Sequence, residues 1–228
     1  MIEVVPAVLA KSWGELTDSV ELVHAFAKSV QIDVVDGHFV RHKTWPYKDR
    51  ATFDKIVKEE RGLPHWEKLD FEFDLMINDP AAEVGNFVRA GASRIVLHAS
   101  APGTDAALES LADMREPGGE FYVRVGIALS IGGEPHELER LQPDFVQVMG
   151  IEHIGKQGEP LHRRAVYLIE RVRRLYPAMQ IQVDGGVRAQ NIQQLVAAGA
   201  NRIIAGSAIL GADDPEAAYK ELVALANA

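Results

Sequence analysis

The chain has 228 residues, a net charge of −9 and no cysteine. The lack of cysteine excludes a disulfide framework and any thiolate chemistry or thiolate metal site. The acidic balance, with no basic block, argues against a nucleic-acid or anionic-membrane partner. The opening residues MIEVVPAVLA lack the basic start and long apolar core of a secretion signal. No apolar run approaches the roughly 20 residues that a membrane span needs, so a soluble, cytoplasmic protein is expected.

In chain order, a β-rich run at residues 2–5 leads into an amphipathic stretch near 13–28. The pair then recurs: 30–35 with 51–61, 71–76 with 81–89, 94–98 with 105–114, 122–129 with 134–142, 145–149 with 160–176, 180–184 with 190–198, and 202–205 with 215–226. A strand candidate followed each time by a helix candidate is what a parallel barrel requires, because every parallel crossover needs a helix-length connection. The sequence therefore predicts one (β/α)₈ TIM barrel over residues 1–228, with no linker or low-complexity segment. An open doubly wound sheet is the alternative, but no Gly-rich dinucleotide turn follows the first strand. Residues 90–95 (AGASRI) weakly echo residues 198–203 (AGANRI), an offset of about four strand–helix units that fits two half-barrels, the alternative being chance similarity in a repetitive fold. In both copies Gly sits where a helix must end. Arg163, Arg164, Arg171, Arg173 and Arg174 recur at helical spacing and read as a solvated helix face.

Parallel strands buried on both faces usually read as near-continuous Val, Ile and Leu. Several strands here break that rule. Gln31 and Asp33 share one face of the second strand, and Glu72, Asp74 and Met76 share one face of the third. The fourth ends in His98, the sixth carries Gln147 and Met149, and the seventh carries Gln182 and Asp184. A buried ionised carboxylate without a partner is costly, so such residues need something that satisfies them. Barrel active sites lie at the C-terminal ends of the strands, where Asp33, Asp74 and Asp184 are expected to converge. Each residue taken alone also reads as a satisfied core polar group, His98 above all.

Glycine supplies the second signal. Asp184-Gly185-Gly186-Val187 follows the seventh strand and Ala205-Gly206-Ser207-Ala208 the eighth. Phosphate sites in barrels are commonly built from those two loops and a helix N-terminus. A phosphorylated small molecule is the ligand these turns predict, at Gly185, Gly186, Gly206 and Ser207.

With these residues in view, the chain resembles the ribulose-phosphate 3-epimerase family nearly end to end. The resemblance runs through Pro6-Ala7-Val8-Leu9-Ala10, the highly specific Asp33-Val34-Val35-Asp36-Gly37-His38-Phe39-Val40, Asp74-Leu75-Met76-Ile77 with Asp79-Pro80, and the two glycine turns, in order and at family spacing. It implies an isomerase in which two aspartates, here Asp33 and Asp184, remove and return the proton alpha to the ketone of a sugar phosphate. It also implies a divalent metal. Met76 and Met149, on the same strand faces as the polar residues, are expected against the substrate. A homo-oligomer is expected.

The departures are specific. Gln31 and Asp74 stand where the family has its two metal-binding histidines, Ala7 where it has serine, and Ser130-Ile131 where it has Asn-Pro. The stretch from Gly150 to Gly158 keeps only part of the family's glycine loop. The resulting set, Gln31, Asp33, Asp74 and Asp184, is all oxygen; it suits Mg²⁺ or Mn²⁺ better than Zn²⁺, and the alternative is that it binds no ion. The alternative is an altered or inactive member that binds a phosphorylated ligand or a partner. A decarboxylase-like reaction is disfavoured, because Asp33-Val34-Val35-Asp36 has no lysine in the place that related decarboxylases need one.

Overall fold

A computed structural model describes residues 1–115 and 122–228. Eight parallel strands close into a barrel in sequence order: β1 (Glu3–Val8), β2 (Ser29–Val35), β3 (Asp70–Met76), β4 (Ala92–His98), β5 (Arg124–Leu129), β6 (Phe145–Met149), β7 (Ile181–Asp184) and β8 (Arg202–Ala205). Helices α1 (Trp13–Val23), α2 (Arg50–Val57), α3 (Val84–Arg89), α4 (Thr104–Ser110), α5 (Glu137–Leu141), α6 (Arg163–Leu175), α7 (Ile192–Ala198), α8 (Ser207–Leu210) and α9 (Pro215–Ala226) lie between and after them.

Two deviations from the predicted elements have local causes. β1 runs on to Val8 through Pro6, which pairs with Ala205; proline forfeits one ladder hydrogen bond without leaving extended backbone. α2 stops at Val57, well short of residue 61, because Glu59 adopts a left-handed φ of 61°. The two echoed glycines do end their helices. Gly91 has φ 96°, and Gly199, the cap of α7, has φ 118°, a region glycine enters without steric cost. Arg173 on α6 donates to the carbonyls of Gly199, Pro177 and Met179, and Arg171 pairs with Glu134 at 2.8 Å. These two arginines of the predicted solvated face thus cap and brace the structure.

The outward faces of the strands and the inward stripes of the helices form one apolar layer that includes Ile32, Phe73, Leu97, Ile127, Val148, Val183 and Ile203. The barrel interior is different, because its residues alternate with these and many are polar. At the floor, Glu72 accepts from Arg94 at 2.6 Å and from Arg202 at 2.7 Å, and Arg202 also reaches Glu3 at 2.8 Å. Gln182 Oε1 accepts from both arginines. The Arg94 guanidinium lies 3.7 Å from the centroid of the Phe145 ring. Burial draws Arg94 down to about 10, which leaves it a cation at neutral pH. Burial also opposes the Arg202 cation, but Glu72 and Glu3 outweigh it and hold its pKa above the ordinary value.

Candidate active site

The polar residues at the other end of the interior converge. β2, β3 and β7 each project one aspartate, and a carboxylate oxygen from each of Asp33, Asp74 and Asp184 lies within 4.8 Å of the other two. All three are buried. Gln31, one step below Asp33 on the same face, bridges two of them: its Nε2 donates to Asp33 Oδ1 at 2.9 Å and to Asp184 Oδ2 at 3.0 Å. Its carbonyl oxygen is buried with no hydrogen-bond partner, and a buried acceptor left unpaired is costly.

Asp74 is held from the side. Gln147 Nε2 donates to its Oδ2 at 2.9 Å, and His98 Nε2 lies 2.8 Å from its Oδ1. The Phe39 ring packs on His98 at 5.3 Å. Gln182 Nε2 then donates to Gln147 Oε1 at 2.6 Å and to Glu72 Oε1 at 2.9 Å. A continuous chain of hydrogen bonds therefore links the mouth of the barrel to its floor.

The electrostatic consequence falls on Asp33 and Asp184. Burial raises the Asp33 carboxyl well above the ordinary value of 3.8, and the charges of Asp184 and Asp74 raise it further. Burial and the charge of Asp74 push Asp184 up to about 8. The two groups share one cavity and titrate as a pair. In the absence of a cation the pair retains a proton at neutral pH.

The pocket above them has Asp33, Asp184, Met76 and Met149 at its base and Gly185, Gly186, Gly206 and Ser207 along one wall. Gly185 and Gly186 have φ of 100° and 70°, and a β-carbon at 186 would come within 2.5 Å of the Leu161 nitrogen, so that turn requires glycine. Gln31 and Asp74 lie beneath the wall rather than on it, both fully buried. Lys156, Gln157 and Arg188, which sequence reasoning misses, line the same wall. Arg188 donates to Ser207 Oγ at 3.0 Å and to the Val187 carbonyl at 2.8 Å. The signal for it is its place two residues after Gly185-Gly186; Lys156 lies between Gly155 and Gly158.

The chemistry of the donors suits a metal. Three carboxylates within reach of one point, and an orphaned amide oxygen beside two of them, fit a hard divalent cation. The repulsion that raises two of the carboxyls is what such an ion would relieve.

A closed (β/α)₈ barrel with buried carboxylates and glycine turns at the C-terminal ends of its strands is the architecture of a small-molecule enzyme barrel. The chain belongs to the ribulose-phosphate 3-epimerase family, whose pattern matches residues 3–210. It is 30% identical to "Ribulose-phosphate 3-epimerase" of Mycobacterium leprae (strain TN), covering 96% of this chain and 92% of that protein. It is 29% identical to the protein of the same name from Aquifex aeolicus (strain VF5), covering 96% and 95%. Among solved structures, it superimposes on KGPDC from Streptococcus mutans with a TM-score of 0.69 at 14% identity, covering 100% of this chain and 98% of that one. It superimposes on a 3-hexulose-6-phosphate synthase with a TM-score of 0.66 at 21% identity, covering 99% of both chains. These two likenesses show the fold.

Proposed function

We propose that the chain is an epimerase of a phosphorylated ketose that works by proton transfer between Asp33 and Asp184. The observation that carries this reading is the pair itself: two buried carboxyls on the pocket base, joined through one Gln31 amide, with raised pKa values. Epimerisation at the carbon alpha to a ketone needs one group ionised to take the proton and another protonated to return it on the other face. In the absence of a cation, a pair that holds one proton at neutral pH starts in that state. β2 and β7 are separated by β1 and β8 around the ring, a separation that would let the two carboxyls approach a bound carbon from different sides.

Asp33, Asp74, Asp184 and the Gln31 carbonyl would hold a divalent cation, Mg²⁺ or Mn²⁺ in preference to Zn²⁺. When bound, the ion supplies positive charge for the oxygen on which negative charge develops. His98 and Gln147 fix the orientation of Asp74. The phosphate would sit against the backbone at Gly185–Gly186 and Gly206–Ser207, with Arg188 and Lys156 as counter-charges and Met76 and Met149 as the apolar base. No helix among the described residues is long and apolar enough to cross a membrane.

The test is deuterium exchange. Purified protein is incubated in D₂O with pentulose and hexulose phosphates, with and without Mg²⁺, Mn²⁺, Zn²⁺ and Fe²⁺. Deuterium is expected at the carbon alpha to the ketone, and to be lost in Asp184→Asn. No exchange under any metal condition, with ligand still bound, would leave a non-epimerising sugar-phosphate barrel.

A further inference from the structure

A second group of metal-ligating side chains lies far from the mouth. His24 caps the C-terminus of α1, Glu21 stands three residues earlier on that helix, and His65 belongs to the loop before β3. In a barrel of this topology the segments that lead into strands lie at the strand N-termini, so this cluster is at the end opposite the aspartates. The two imidazole rings stack at 3.8 Å between centroids with 4° between their planes. Both present Nε2 to the same carboxylate: His65 lies 2.7 Å from Glu21 Oε2 and His24 lies 3.3 Å from Glu21 Oε1. One donor atom from each of the three lies within 4.8 Å of the others. His65 takes a left-handed backbone, φ 55°, and its carbonyl accepts from the amides of Lys68 and Leu69, so its ring projects from a tied turn. The imidazoles are about three-quarters buried, at 23% and 28% exposure, while Glu21 is open to water at 62%.

We propose that Glu21, His24 and His65 form a second divalent-metal site, for a borderline transition ion such as Zn²⁺, that clips α1 to the loop before β3. Two imidazole nitrogens and one carboxylate are a donor set that zinc accepts, with its remaining position left to water. This is the converse of the all-oxygen set at the mouth, which favours hard ions. The two sites therefore differ in ion preference as well as in place. Seating the ion needs the rings to splay from parallel by rotation about their side-chain torsions, which their partial exposure allows. The carboxylate already joins the two rings, so the ion replaces existing contacts. The three residues come from two segments, 21–24 and 65, that are separated in the chain by β2 and α2. An ion bridging them therefore restrains the folded state, and a ligand that binds only the folded form raises its melting temperature.

The experiment uses the full chain, stripped with chelator and titrated with Zn²⁺ alone. Zinc bound per chain is counted after gel filtration, and the melting temperature is followed in parallel. The variants are His24→Gln and His65→Asn; asparagine tolerates the left-handed backbone at 65. We expect each variant to bind one zinc fewer than the parent and to lose a zinc-dependent rise of roughly 5 °C at a hundredfold excess over the dissociation constant. Ni²⁺ should also quench the fluorescence of Trp66, the neighbour of His65, in the parent and not in His65→Asn. If parent and variants bind equal zinc and melt alike, the cluster is a hydrogen-bonded histidine pair and the proposal is wrong. Zinc uptake that is lost in Asp184→Asn and kept in both histidine variants would overturn it equally.

Discussion

At the floor of the barrel Glu72 and Glu3 face Arg94 and Arg202, with every pair closed at 2.8 Å or less. At the mouth Asp33, Asp74 and Asp184 face chiefly one another, with two glutamine amides and one histidine between them. Glu72 and Arg202 at the floor and the three aspartates at the mouth are all buried and hydrogen-bonded, so neither burial nor polarity distinguishes the two ends. The charge balance does. A buried charge with its counter-charge is structure, whereas buried like charges persist where chemistry requires them and at a cost in stability.

The largest effect that would sharpen this contrast is on turnover. Asp184→Asn is expected to lower epimerase turnover by about 10²–10⁴-fold, the range typical of a general acid–base group, while sugar-phosphate affinity stays within a few-fold; a coupled assay with calorimetry reads both. At the floor the same kind of change should act on folding instead. Arg202→Met leaves Glu72 with one cation and Glu3 with none of its present ion pair, and removing one partner from a buried pair costs about 3–5 kcal/mol. The melting temperature should then fall by about 10 °C. A floor variant that melted normally, or a mouth variant that kept its turnover, would erase the distinction.

The third test uses pH. Asp33 and Asp184 bind protons more tightly when folded than when unfolded. Their contribution is therefore fully present below the unfolded value of 3.8 and drains away as pH rises through the folded values, about 8 for Asp184. In chelator-treated protein this loss should lower the melting temperature between pH 4 and 8 by about 5 °C or more. Mg²⁺ or Mn²⁺ should restore it at pH 8, and Asp184→Asn should flatten the slope. Two smaller effects concern the wall. Gly206→Leu, whose β-carbon would come within 2.8 Å of Gln157 Nε2, is expected to weaken sugar-phosphate binding about tenfold with the fold intact. Arg188→Ala should raise the dissociation constant for inorganic phosphate about fivefold, roughly 1 kcal/mol, as expected for one partly exposed charge contact.

How much of this was legible in the sequence depended on whether a residue broke a pattern. Asp33, Asp74 and Asp184 were visible because a carboxylate inside an apolar strand violates the rule for buried parallel sheets. The strand–helix alternation was visible for a related reason, as a period repeated along the chain. The partners of Asp74 were not: His98 and Gln147 each read as an ordinary core polar group, and only the closed ring brings β4 and β6 to the same aspartate. The floor was hidden likewise, since Arg94 and Arg202 stand at the beginnings of predicted strands and pair with Glu72 only through the register. Lys156 and Gln157 lie in an irregular loop with no period to read, and α8 is four residues long, too short for one.

The floor network also determines how the molecule can be divided. The echoed AGASRI and AGANRI segments suggest two equivalent halves, yet the ion pairs cross between those halves. Cut between β4 and β5, the first half keeps Glu72 beside Arg94, but the second half keeps Arg202 with neither Glu72 nor Glu3. A fragment of residues 122–228 would carry an arginine suited to burial and no carboxylate to meet it. Such halves are expected to be unfolded alone and to assemble only when mixed, and the whole barrel is expected to unfold as one cooperative unit.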